Sequence, residues 1–150
     1  MEVRMPDSLA QLGYGATFEI QNDDSPGVYT VLDEVRNIMP PSADVDMIDV
    51  THMQSPSGRR EFIGGLIDPG EVSFEINWIP GNVTDVRLNG ILDIPFGQSR
   101  RKTCRIVYPN HVVHTFSGEL TKYEPSVPTD DKMTATVTFK VSGAITRGVT

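Results

Sequence analysis

The sequence is as informative for what it lacks as for what it holds. It has one cysteine, Cys104, so no intrachain disulfide can form and nothing points to an oxidising compartment. It has one tryptophan, Trp78, which is little material for an aromatic glycan-binding platform. No apolar run approaches the roughly 20 residues of a membrane helix. The opening segment MEVRMPDSLAQLGYG has no signal-peptide core, which reads as an intracellular origin. Lys and Arg number 13 against 20 Asp and Glu, a formal net charge of −7. That excludes a general grip on nucleic acid, which needs cations to neutralise phosphates, and suits a surface that must not adhere to nucleic acid passing close by. Nucleophile elbow, phosphate loop and calcium loop are all missing.

The few candidates for chemistry fail on geometry. His111 and His114 stand three apart in an expected strand, so they point to opposite faces and cannot share a metal. Cys104 has no partner motif and reads as a core residue beside Ile106. Glu71 and Glu75 share a strand face but stand roughly 13 Å apart by strand rise, too far for a glycosidase pair. Arg100, Arg101, Lys102 and Arg105 form one basic cluster, either a phosphate or subunit contact or a solvated edge. No catalytic residue, metal ligand or cofactor is expected.

What is present is period two. In Glu71–Ile79 the side chains of Val72, Phe74, Ile76 and Trp78 fall on one face, and Glu71, Ser73, Glu75 and Asn77 on the other. The same alternation sets Met133, Ala135, Val137, Phe139 and Val141 against Thr134, Thr136, Thr138, Lys140 and Ser142. Weaker extended runs are read at 16–21, 28–39, 44–52, 103–108 and 112–123. One helix is expected from Asn82 to Asp93, with Asn82 as cap, Asp85 in the first turn, and Leu88, Ile91 and Leu92 as its apolar stripe. The chain of 150 residues is read as one domain. Residues 1–13 form a mobile arm, 53–70 a long loop, and 144–150 a short tail. The fold class is mostly β: a sandwich or barrel of about seven strands with one flanking helix.

The loop is unusual. Pro56, Gly58, Gly64, Gly65, Pro69 and Gly70 argue against long regular structure between residues 53 and 70. Ser55, Ser57, Gly58, Arg59, Arg60 and Glu61 make it polar, yet Phe62 and Ile63 are stickier than a solvated loop requires. Either it reaches a partner, or it is a floppy connection before an ordinary sandwich strand.

Two blocks carry a family resemblance. The first runs from Asp46 to Pro80, with IDVT followed by GRREFIGGL-x-DPGEVSFEINW-x-P. The second is FSGELTKYEPSVPTDDKMTATVTFKVSGA, Phe116 to Ala144. Together they resemble the major tail tube proteins of long non-contractile-tailed, lambda-like siphophages. The resemblance implies a fold shared with contractile tails and type VI secretion tubes. It implies a structural, non-catalytic virion protein made in the host cytoplasm. Six copies would close into rings and the rings would stack into a hollow tube. That tube would enclose a tape-measure protein and conduct DNA without specific binding or a membrane. A tail assembly chaperone, a terminator and a distal tail protein are the implied partners.

If the 44–52, 71–79, 112–123 and 133–142 strands form the tube-wall sheet, then Glu71, Ser73, Glu75, Asn77, Thr134, Thr136, Thr138 and Lys140 are the candidate lumen residues. Lys140 departs from a purely repulsive lining. Val72, Phe74, Ile76, Trp78, Val137, Phe139 and Val141 would pack beneath the helix stripe. The 53–70 loop would be disordered alone and order against a neighbouring subunit. Two alternatives remain open at this stage: a β-sandwich binding module of a virion, and another ring-forming tail protein of the same fold, such as a terminator, distal-tail or secretion-tube subunit.

Overall fold

A computed structural model describes residues 8–150; the first half of the expected arm, residues 1–7, lies outside them. The strands in chain order are β1 (Thr17–Gln21), β2 (Tyr29–Val31), β3 (Val35–Met39), β4 (Asp44–Asp49), β5 (Phe62–Asp68), β6 (Glu71–Asn77), β7 (Arg101–Val107), β8 (Val112–Ser126) and β9 (Thr134–Val149). The helix α1 (Val83–Leu92) lies between β6 and β7, and a single 3-10 turn spans Pro56–Gly58. Seven strands form one antiparallel sheet in the order β2-β1-β7-β8-β9-β6-β3, and β4 and β5 form a separate two-stranded sheet.

The large sheet is rolled. Three strands separate β1 from β6 in the strand order, which in a flat sheet would hold them about 19 Å apart at ~4.8 Å per strand. Instead the rings of Phe18 and Phe74, one on each strand, have centroids 4.4 Å apart. Phe139 of β9 stacks on both, at 5.5 Å from Phe18 and 6.4 Å from Phe74. The chain between β2 and β3 stitches the seam: Leu32 N–H donates to Phe18 O and Asn77 N–H to Glu34 O. The inward faces of Val72, Phe74 and Ile76, and of Val137, Phe139 and Val141, are buried in the resulting core with Cys104 and Ile106. Trp78 and Leu92 pack against its margin and are only partly buried.

The helix forms where capping chemistry places it. The Asn82 side chain accepts from Asp85 N–H, and Leu88 and Ile91 are buried on the sheet. Several boundaries differ from expectation. The 28–39 run breaks into β2 and β3 because Leu32 turns into the core and Glu34 adopts φ +63°. The 53–70 segment is not irregular throughout: Phe62–Asp68 is strand β5, paired with β4. Gly64 and Gly65 hid it, since glycine counts against strands in a propensity reading. Here Gly65 sits where a Cβ would crowd Ile48 and Asp46, so the close approach of the two strands favours glycine. Consequently the 44–52 strand is not part of the large sheet at all. The expected tail, 144–150, also differs: Ala144 to Val149 continues β9 and pairs with the start of β8 across a register shift, helped by Gly143 at φ +81°.

Candidate assembly surfaces

The polar face of β6 and β9 is built from cross-strand pairs. Glu71 stands opposite Lys140, Ser73 opposite Thr138, Glu75 opposite Thr136 and Asn77 opposite Thr134. All eight candidate wall residues therefore fall on one continuous patch, because two strands of period two paired in register superimpose their polar phases. The patch extends sideways. Arg36 of β3 faces Glu75, and Glu119, Lys122 and Glu124 of β8 face Lys140, Thr138 and Thr136. Arg101 of β7 in turn faces Glu119. One row across four strands thus reads Glu71, Lys140, Glu119, Arg101, alternating in sign, an arrangement that favours the register. Asn77 Nδ2 donates to Glu34 Oε2 at 2.9 Å, while its buried Oδ1 has no partner among the described residues. Lys140 is not a free cation on this face: its Nζ donates to Asp68 Oδ1 at 3.0 Å.

The β4–β5 hairpin is the second surface. Both of its faces are open, with Val45, Met47, Ile48, Phe62, Ile63 and Ile67 each at least half exposed and Leu66 84% exposed. Its tip is closed by its own polar groups. Ser55 Oγ donates to Glu61 Oε2 at 2.8 Å, and Glu61 N–H donates to Thr51 Oγ1 at 2.8 Å. Ser57 and Gly58 take left-handed backbone conformations in the 3-10 turn. Arg59 and Arg60 are left exposed beside it.

A buried carboxylate ties the helix down, and the sequence reading found only half of it. Asp85 lies in the first turn as expected, and its Oδ2 accepts from Gly81 N–H at 2.9 Å. It also accepts from Trp78 Nε1 at 3.1 Å, Asn89 Nδ2 at 3.2 Å and Tyr123 OH at 2.6 Å. The Tyr123 bond and then the Gly81 bond hold its pKa below the ordinary carboxylate range. Burial first, and Asp85 second, push the Tyr123 phenol up. Tyr123 reaches this spot through a bulge: Leu120 faces Phe139 and Lys122 faces Thr138, leaving Thr121 surplus and shifting Tyr123 onto the inner phase. No single-strand period reveals such a shift.

The expected basic cluster disperses into internal bonds. Arg105 pairs with Glu19 at 2.7 Å and lies 4.0 Å over the Tyr29 ring. Lys102 pairs with Asp23 at 2.8 Å, and Arg100 donates to Ile94 O. His114 contacts Tyr108 OH at 3.2 Å. Cys104 is buried, and burial pushes its thiol up to about 12. Among the described residues no group of three or more His, Cys, Asp or Glu could hold a metal ion, and no helix is long and apolar enough to cross a membrane.

The molecule is thus a rolled β-sheet with one clasped helix, a mixed-charge polar face and an uncovered hairpin. The chain belongs to the family of the lambda phage tail tube protein, whose model matches residues 13–148. It is a structural component of a phage-type tail tube, and its place is the virion tail. No curated protein matches its sequence. Its fold is similar to that of a chain in the tail of an empty gene transfer agent particle, refined helically with C6 symmetry. That likeness has TM-score 0.75 and 18% identity, covering 93% of this chain and all of the other. It is similar also to a chain in the virion of a native gene transfer agent particle, at TM-score 0.73, 17% identity, 93% of this chain and 100% of the other. The SPP1 tail tube, a hybrid solid-state NMR and cryo-EM structure, matches at TM-score 0.64 and 9% identity over 90% of this chain and 77% of the other.

Proposed function

We propose that six copies of this chain close into a ring, that rings stack into the tail tube, and that the tube encloses a tape-measure protein and later conducts DNA. The observation that carries this reading is the β4–β5 hairpin. A two-stranded sheet is marginal in water, and this one exposes apolar side chains on both faces. A neighbouring copy that covered it would remove that surface from water, at about 25 cal/mol per Å². The six-fold symmetry applied to the similar gene transfer agent tail supports the copy number.

In this reading the β6–β9 polar face is the channel wall, with Glu71, Ser73, Glu75, Asn77, Thr134, Thr136, Thr138 and Lys140 towards the lumen. Its hydroxyl groups and paired charges, on a chain of net charge −7, offer DNA no sustained cationic track. The implied tail assembly chaperone, terminator and distal tail protein bind the subunit before assembly or at the tube ends. Synthesis takes place in the host cytoplasm, with no membrane contact. Electron microscopy of the concentrated protein tests the proposal. Six-fold rings or tubes are expected; a chain that stays monomeric and binds glycans would favour a virion binding module instead.

A further inference from the structure

The hairpin leaves the body through two proline-bearing segments, Pro40-Pro41 before β4 and Asp68-Pro69-Gly70 after β5. Asp44 and Asp68 stand directly opposite each other at its mouth, like charges in a position where cross-strand neighbours normally attract. Asp68 Oδ1 is held from two sides. It accepts from Gly70 N–H at 2.9 Å and from Lys140 Nζ at 3.0 Å. Gly70 is held as well: its carbonyl accepts from Val141 N–H at 3.0 Å. Consecutive residues of β9 thus grip the hairpin root, one by side chain and one by backbone. Gly70 has φ +84°, and a Cβ there would collide with Ser42 O, so the two legs of the hairpin touch at this point.

We propose that Asp68, Gly70 and Lys140 form the joint that sets the angle of the hairpin on the barrel, with Lys140 a positioning residue and not only part of a wall. Proline on each leg stiffens the exit, the glycine lets the legs cross at contact distance, and the ammonium of Lys140 pairs with Asp68, one of the two facing carboxylates. The strand β5 has seven residues, about 23 Å at ~3.3 Å per residue, so a tilt of about 15° moves the tip by about 6 Å. A displacement of that size takes the exposed side chains at the tip off any fixed partner. The consequence for tube assembly rests on the hairpin reading above; the joint itself does not.

Double electron–electron resonance reads the angle. Spin labels go on Met53→Cys near the tip and Val86→Cys on the outer side of α1, both exposed, in a Cys104→Ser background. Lys140→Gln is expected to broaden or shift the distance distribution while far-UV circular dichroism stays unchanged, and Lys140→Arg to restore it. Gly70→Ala is expected to shift it further; if that variant fails to fold, Lys140→Gln remains decisive. A Lys140→Gln distribution superimposable on that of the parent overturns the joint, whatever happens to assembly. A shifted distribution upholds it, and if such a variant still builds normal tubes, it is the assembly role of the hairpin that falls.

Discussion

Replacing Asp85 with asparagine is the sharpest probe of how the helix is held. Asp85 is 8% exposed and takes four hydrogen bonds, three on Oδ1 and one on Oδ2. Asp85→Asn keeps a neutral carbonyl for Trp78, Tyr123 and Asn89, but sets an NH2 group against Gly81 N–H, two donors face to face. Loss of charge assistance and one orphaned donor together cost about 2–4 kcal/mol. Most domains have ~5–15 kcal/mol of stability, so the variant should fold and be measurable. Urea unfolding followed by the single tryptophan is the assay, and Trp78 is itself a donor to Asp85.

Tyr123→Phe should cost about 1–2 kcal/mol alone and less in the Asp85→Asn background, because the two share one bond. The pH dependence follows from the depressed folded pKa of Asp85. The carboxylate contributes its full stability above the unfolded value near ~3.9, and that contribution is lost as pH falls through the folded value. The gap between parent and Asp85→Asn should therefore be constant at neutral pH and shrink in acid. A gap below about 0.5 kcal/mol at pH 7 would refute the clasp, since even one net hydrogen bond to a charged group is worth more than that.

Three further outcomes are expected. Phe74→Ala should lose about 3–5 kcal/mol in the same urea assay, because Phe74 joins β6 to β1 and β9 through Phe18 and Phe139. Cys104 should resist a thiol reagent such as Ellman's at pH 8 in the native protein and react fully in urea, given a buried thiol pushed up to about 12; rapid native labelling would mean that the β7 region opens. Arg59→Glu with Arg60→Glu should leave the circular dichroism spectrum intact and abolish tubes in electron micrographs; tubes of normal length would take the hairpin tip out of the assembly account.

The sequence by itself determined the parts governed by local periodicity and local capping. The alternation in Glu71–Ile79 and 133–142 named the two faces of β6 and β9 correctly, because a strand buried on one side writes its exposure into every second residue. Asn82 and Asp85 named the start of α1, because the orphan N–H groups of a helix are satisfied within one turn. The motifs of Asp46–Pro80 and Phe116–Ala144 pointed to the right family. Only the tertiary structure decided the rest. That β6 and β9 are neighbours in register, so that eight polar residues form one patch, is a matter of pairing, which no single strand encodes. The bulge at Thr121, which brings Tyr123 to Asp85, breaks the very period on which a sequence reading depends. The strand β5 was hidden by Gly64 and Gly65, whose place in a strand makes sense only with β4 lying against them. Lys140 read as an anomaly on a channel wall until Asp68, 72 residues away in the chain, was found within bonding distance of its ammonium group.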